Sequence, residues 1–174
     1  MDWSKAKTIL IIVLLIFCLV LSGILLVRNI NESKELESNA KAALEYLTSV
    51  GVKVETEIPN QRQALAVLFV EYNELSSNDA KLAYRNFNVY TSFGSTKGYT
   101  ITSEGKNKAK VVSASSALLS AVSEFENTQD LAIKDIELCY YIDSNGKPQN
   151  GSRDTAIPAW RITTNKGTSV VSAY

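Results

Sequence analysis

The residues best equipped for chemistry in this chain are few and poorly matched to one another. Cys139 stands in the run Leu138-Cys-Tyr-Tyr, but the chain has no histidine to activate a thiol. The serine runs at Ser76-Ser77 and Ser113 to Ser116 lack the flanking patterns of a serine nucleophile, and they too lack a histidine. Asp143-Ser-Asn-Gly-Lys begins like a calcium loop, yet its glycine comes two positions early, so it reads as a flexible hairpin loop. Asp135 and Glu137 could pair as glycosidase carboxylates do, but their alternation places them on the solvated face of a strand. No phosphate-cradling G-x-x-x-x-G-K-[ST] and no G-x-G-x-x-G is present. The expectation is a protein that is not an enzyme, with no catalytic residue, no cofactor and no metal site.

Composition points the same way. The 174 residues are 45% apolar and 21% charged, a normal globular mix. Eighteen basic residues balance eighteen acidic ones, which removes the global electrostatic case for binding nucleic acid. Two cysteines, Cys18 and Cys139, are too few for a disulfide scaffold or a four-ligand zinc site.

The strongest signal is an apolar run. Thr8 to Val27 is uncharged throughout and rich in Leu, Ile and Val. As a helix it would be about 30 Å long, the hydrocarbon thickness of a bilayer. A cleaved signal peptide would have a shorter apolar core and a small-x-small site, whereas here Leu25-Leu-Val runs into Arg28. The expected organisation is a cytoplasmic N-terminus at 1–7, a transmembrane helix at 8–28, a juxtamembrane stalk helix at 29–50 and an extracytoplasmic domain at 51–174. Basic residues flank the span almost evenly, and the free amine tips the N-terminus towards the cytoplasm. Cys18, Ser22 and Gly23 form one small-residue patch where another membrane helix could pack closely.

The stalk has apolar residues at three- and four-residue steps (Leu36, Ala40, Ala43, Leu44, Leu47, Val50), and Gly51 supplies a stop. Asn29 and Asn31 weaken its continuity with the span. Further on, Val52 to Ile58 and Ala64 to Tyr72 read as strands, and Ser76 to Phe87 as a short helix capped by Ser77 or Asn78. Val89 to Phe93 reads as another strand. Tyr99 to Ser103 and Ala109 to Ser113 read as a hairpin around Glu104-Gly-Lys. Lys106, Lys108 and Lys110 fit a solvated edge protected by lysines.

The clearest unit is a helix plus meander at about 113–174. Ser113 caps a helix whose apolar face is Ala114, Ala117, Leu118, Ala121, Val122 and Phe125, with Ser115, Ser116, Ser123 and Glu126 opposite. Ile136, Leu138, Tyr140 and Ile142 alternate with Asp135, Glu137, Cys139, Tyr141 and Asp143, the pattern of an antiparallel sheet with one wet face. A final hairpin joins Ala156 to Thr164 with Thr168 to Tyr174. Trp160 is expected in the core, and Arg161 on the other face near Tyr141. Tyr141 and Arg161 are therefore the outer-domain interaction candidates. The fold class is α+β: a single N-terminal transmembrane helix, then an antiparallel sheet packed by one or two helices.

Two stretches resemble a known family. The start, Met1-Asp-Trp-Ser-Lys-Ala-Lys-Thr-Ile, running straight into the span, is similar to the N-terminus of YycI proteins. The end, Leu138-Cys-Tyr-Tyr followed by Ile157-Pro-Ala-Trp-Arg-Ile, resembles the C-terminal strands of that family, and this chain would be a short variant. The resemblance implies a membrane-anchored regulator of an essential cell-wall sensor histidine kinase in low-GC Gram-positive bacteria. Its implied partners are the kinase and a YycH-like membrane protein, within the lipid bilayer. An anchored envelope-binding or peptidase-inhibitory module of the PepSY type is the alternative.

Overall fold

The computed structural model describes residues 3–60, 63–76, 82–125, 127–144 and 148–174. The chain divides into two compact units, Met1–Ser38 and Asn39–Tyr174.

Helix α1, Trp3–Ser49, carries the apolar run. It is long and apolar enough to cross a membrane, and its apolar window is wholly unburied. No break occurs at the asparagines: Asn29 stays helical, and its carbonyl accepts the Ser33 hydroxyl at 3.1 Å. The backbone helix thus runs on without a break from residue 28 to residue 29. Two asparagines cost a helix of this length only a few tenths of a kcal/mol each relative to good helix formers, about 0.7 kcal/mol at most. The C-terminus of α1 closes as anticipated at Gly51, whose φ of 83° suits a residue without a Cβ. Gly51 N–H donates to the Thr48 carbonyl and Val52 N–H to that of Leu47, so two orphaned carbonyls are satisfied.

The second unit is built on two long strands, β8 (Ala132–Ile142) and β9 (Arg153–Thr164), numbered with the shorter strands in chain order. They pair antiparallel from Ile133↔Thr164 to Ile142↔Ala156. The other edge of β9 takes β10 (Gly167–Ser172) and β3 (Leu68–Tyr72), both antiparallel. Beyond β3 lies β6 (Tyr99–Glu104). The other edge of β8 takes β1 (Lys53–Val54) and β5 (Phe87–Thr91), both parallel. β4 (Ala83–Tyr84) closes a hairpin onto β5. A separate two-stranded ribbon joins β2 (Ala64–Leu65) to β7 (Ala109–Lys110).

The expectation of an antiparallel sheet needs correction, because the sheet is mixed. Alternation reveals that a strand has one buried face, not the direction of its neighbour. The expected hairpin of Tyr99–Ser103 with Ala109–Ser113 does not form either. β6 pairs with β3 and β7 with β2, and Gly105 N–H donates to the Val67 carbonyl at 2.8 Å, holding the intervening turn against β3. The helix expected at Ser76 to Phe87 is not seen. Residues 77–81, with both candidate caps, lie outside the described residues, and Ala83–Tyr84 is strand. Tyr84 is held there by Tyr140, whose ring meets it edge-on at 6.1 Å.

Both buried clusters lie on one face of the sheet. One gathers Ile133, Ile136, Trp160 and Ile162 under Leu47 and helix α2 (Ala114–Ser123); the other gathers Leu68, Val70, Val89, Tyr140 and Ile142. A register shift between Ile133 and Asp135 lets both isoleucines reach the core while Lys134 and Asp135 stay exposed. Helix α2 starts where the sequence indicates: Ser113 Oγ accepts Ser116 N–H at 3.2 Å. Ser115, expected outside, is buried and lies 3.0 Å from the Ser113 hydroxyl. Glu126 lies outside the described residues. Trp160 is core as expected, and its indole N–H donates to the Val112 carbonyl at 3.0 Å.

Two predictions follow from this packing. Leu118 is fully buried beneath the sheet. Leu118→Ala should cost about 2–5 kcal/mol in urea unfolding of the full chain in detergent, whereas Leu119→Ala on the exposed side should cost at most about 0.5 kcal/mol. The second concerns Glu104, which accepts from Tyr84 Oη and Arg85 Nη2 at 2.9 Å each and pairs with Lys108 at 3.6 Å. The Tyr84 hydrogen bond, aided by the Arg85 and Lys108 charges, holds this carboxyl below its usual range. Its stabilising effect is present above the ordinary carboxylate pKa and is lost as pH falls through the lower folded value. Glu104→Gln should therefore reduce the loss of urea resistance between about pH 5 and about pH 3.

Candidate functional site

The sheet has a second face. Registers place Phe69 (β3), Tyr90 (β5), Tyr141 (β8), Ile157 and Arg161 (β9) and Val170 (β10) together on it. None of the six belongs to either buried cluster. Five are half-buried and Phe69 is 45% exposed. Among the described residues, no helix packs on this face as α2 does on the other. Aromatic side chains and arginine are among the residue types favoured at protein interfaces.

Arg161 is the organising residue of the face. Its guanidinium lies over the Tyr90 ring, 4.5 Å from the centroid, and Nη1 is 3.9 Å from Glu137 Oε2. Tyr90 donates its hydroxyl to the same Glu137 oxygen at 2.9 Å, and the Asn88 amide donates to the other. Burial first, and then its bond to Glu137, pushes the Tyr90 hydroxyl above its usual value. Both Glu137 oxygens are thus engaged, so the carboxylate is a strut for Tyr90 and Arg161 rather than a free acid or base.

The sequence reading placed Arg161 beside Tyr141, and this is corrected. Arg161 pairs in register with Glu137, and Tyr141 pairs with Ile157, further along the ladder. The aromatic beneath Arg161 is Tyr90, which reaches it because β5 joins β8 in parallel, a pairing that no local pattern signals. Both candidates nevertheless share one face. Tyr90 and Glu137 were missed as site residues. The only available signal was the odd-numbered alternation of β8, which assigns Glu137 to the same face as Tyr141.

Cys139 also requires correction. It was assigned to the solvated side of β8, but it is fully buried between its neighbours and donates weakly to the Ala159 carbonyl at 3.4 Å. Burial, reinforced by Glu137, pushes its thiol up to about 12. A thiol so placed is a poor nucleophile. Of the other aromatics in the C-terminal strands and at their end, Tyr140 and Trp160 belong to the core and Tyr174 donates to the Leu65 carbonyl at 2.8 Å.

The membrane candidates Cys18, Ser22 and Gly23 lie in α1 and are exposed. Cys18 and Ser22, four residues apart, share a helical face. A Cβ built on Gly23 would meet nothing within 4 Å, so the glycine provides room that its own unit does not fill. The calcium-like run 143–147 is only partly covered, since residues 145–147 lie outside the described ones. Among the described residues no cluster of metal-ligating side chains occurs.

Compared with known proteins, the chain matches no family model and no curated protein sequence.

The buried thiol gives a direct check. With Cys18 replaced by serine, a hydrophilic maleimide at about pH 8 should leave Cys139 unlabelled in the folded chain and label it fully in urea. Above about pH 9 the thiol ionises in the unfolded chain but not in the folded one. Stability should therefore fall as pH rises from about 9 towards about 12, and Cys139→Ala should remove that share of the loss.

Proposed function

We propose that this protein is a non-enzymatic, single-pass membrane regulator of a two-component sensor histidine kinase that controls cell-wall homeostasis. Its N-terminus would be cytoplasmic and its sheet domain extracytoplasmic, with a YycH-like protein as second partner. The observation that carries the reading is the apolar segment of α1. Its Leu, Ile, Val and Phe side chains are 44–73% exposed between Ile9 and Val27. At about 1.5–3 kcal/mol for each large apolar side chain left in water, the segment would cost tens of kcal/mol outside a membrane or a partner. The similarity of the residues around it to the YycI family selects a kinase as the partner.

The chemistry needed is contact, not catalysis. In the span, Cys18, Ser22 and Gly23 offer a close-approach patch. In the sheet domain, the Arg161–Tyr90–Glu137 assembly offers a rigid, half-buried surface. A regulator works by binding two kinase states with different affinities, and a few kcal/mol of difference suffices.

The test is photocrosslinking in the membrane from successive positions between Ile11 and Val27. The expected result is capture of a sensor kinase from the face that holds Cys18 and Ser22. Capture of lipid alone from every face would overturn the reading. Exchanging the span for an unrelated one should abolish regulation; an anchored PepSY-like module would keep its activity after the exchange. Arg161→Ala should leave the span crosslinks intact but change kinase output several-fold, because it uncovers the Tyr90 ring and leaves the Glu137 charge without its cationic partner.

A further inference from the structure

A cleft of about 540 Å³ opens at one end of the sheet, and none of Arg161, Tyr90 and Glu137 lines it. Tyr72 and Glu74 line it from the end of β3, Phe93, Ser95 and Lys97 from the loop after β5, and Pro148 from the loop after β8. Its volume is that of small-molecule sites in general.

The walls are tied to one another through the backbone. Asn73 N–H donates to the Gly98 carbonyl at 2.8 Å, Gly151 N–H to the Tyr72 carbonyl at 2.7 Å, and Tyr72 N–H to the Ser152 carbonyl at 2.9 Å. Glu74 N–H donates to Asn150 Oδ1 at 3.2 Å. Behind them the Tyr99 hydroxyl lies 3.0 Å from the Ser144 hydroxyl and 3.3 Å from Asp154 Oδ2. The Tyr72 ring meets Tyr99 at 65°, 5.2 Å centroid to centroid, lies close to Gly98 and also lines the cleft. Gly98 has a φ of 90°, and a Cβ there would stand 2.6 Å from Tyr72 Cε2. Glycine is thus required both for the backbone conformation and for the position of the ring.

The polar groups have a definite arrangement. Tyr72 pairs with Tyr99, the Asn73–Gly98 hydrogen bond continues that ladder by one position, and Glu74 and Lys97 follow in the turns beyond it, both lining the cleft. Among the described residues neither side chain makes an ion pair. The lining thus carries one charge of each sign and no net charge, so it gives no preference for an ion of either sign. Such a cleft selects a neutral ligand carrying donors and acceptors at close spacing. Next to them Tyr72 and Phe93 present aromatic surface, Phe93 being 48% exposed. The electron-rich face of an aromatic ring accepts polarised C–H groups.

From this geometry we propose that the cleft binds a neutral saccharide through one pyranose ring. The C–H face of the sugar would lie on Phe93 and Tyr72. Adjacent hydroxyls, each both donor and acceptor, would be shared between the Glu74 carboxylate, the Lys97 ammonium and the Ser95 hydroxyl. The binding needs no kinase and does not rest on the regulatory reading.

The test is titration calorimetry on the full chain in nanodiscs, with maltotriose, cellotriose and chitotriose as probes. The expected result is saturable binding of at least one of the three. Phe93→Ala should weaken it about tenfold, and Glu74→Gln with Lys97→Gln by a similar factor. Arg161→Ala, on the open face, should leave it unchanged. Phe93 is half in solvent and Glu74 and Lys97 are exposed, so these variants should keep the parent's urea midpoint. Failure of all three sugars to saturate the protein would overturn the proposal. So would sugar affinity that survives Phe93→Ala, or saturation by glycine betaine or L-lysine in place of the sugars. Because no kinase is present, none of these outcomes bears on the span.

Discussion

The antiparallel ladder between β8 and β9 is the interaction on which the rest of the sheet domain depends. Every other strand of the main sheet is attached to one of these two, directly or through one intermediate. β9 carries β10 along one half of its free edge and β3 along the other, while β8 carries β1 and β5. A slip of one residue in the ladder would turn Trp160 and Ile162 out of the core and Arg161 into it, so the register is held by hydrophobic burial as well as by hydrogen bonds. The register shift at Lys134 belongs to the same logic, since it brings Ile133 and Ile136 to one face.

Packing on that ladder is one-sided. α2, Leu47 and the two-stranded ribbon cover the face with the large apolar side chains. The other face keeps its polar and aromatic groups ordered by local means: a guanidinium over Tyr90, a carboxylate accepting two hydrogen bonds and paired with that guanidinium, and a thiol shielded by its neighbours. This explains how a surface lacking a helical cover can still hold a residue as buried as Cys139. It also separates two kinds of surface, a broad face suited to another protein and a narrower cleft at the loop end suited to a small neutral molecule.

Much of this arrangement was legible. The apolar run, the Gly51 stop, the Ser113 cap, the alternation of β8 and the terminal hairpin about Asn165-Lys-Gly all rest on interactions within a few residues, and each formed where its local chemistry indicates. Partner choice between distant segments was not legible. β6 and β7 lie close in sequence with a turn between them, yet each pairs elsewhere. Segment 83–91 shows no signal for a parallel partner, so Tyr90 could not be placed under Arg161, and Tyr141 stood in its stead. Cys139 was misassigned because alternation gives the face, whereas depth depends on what the neighbouring side chains cover.

The sequence by itself determined the membrane-length helix, the helix-plus-meander unit, the core role of Trp160 and the lack of a histidine-based site. Composition and short-range periodicity suffice for these, because burial of one face and the capping of helix ends are local requirements. Only the tertiary structure decided the mixed strand order, the Arg161–Tyr90–Glu137 assembly and the cleft between Tyr72 and Phe93. Each of these joins residues tens of positions apart. Such contacts form when loop closure is repaid by packing across the whole sheet, a balance that no local window of sequence contains.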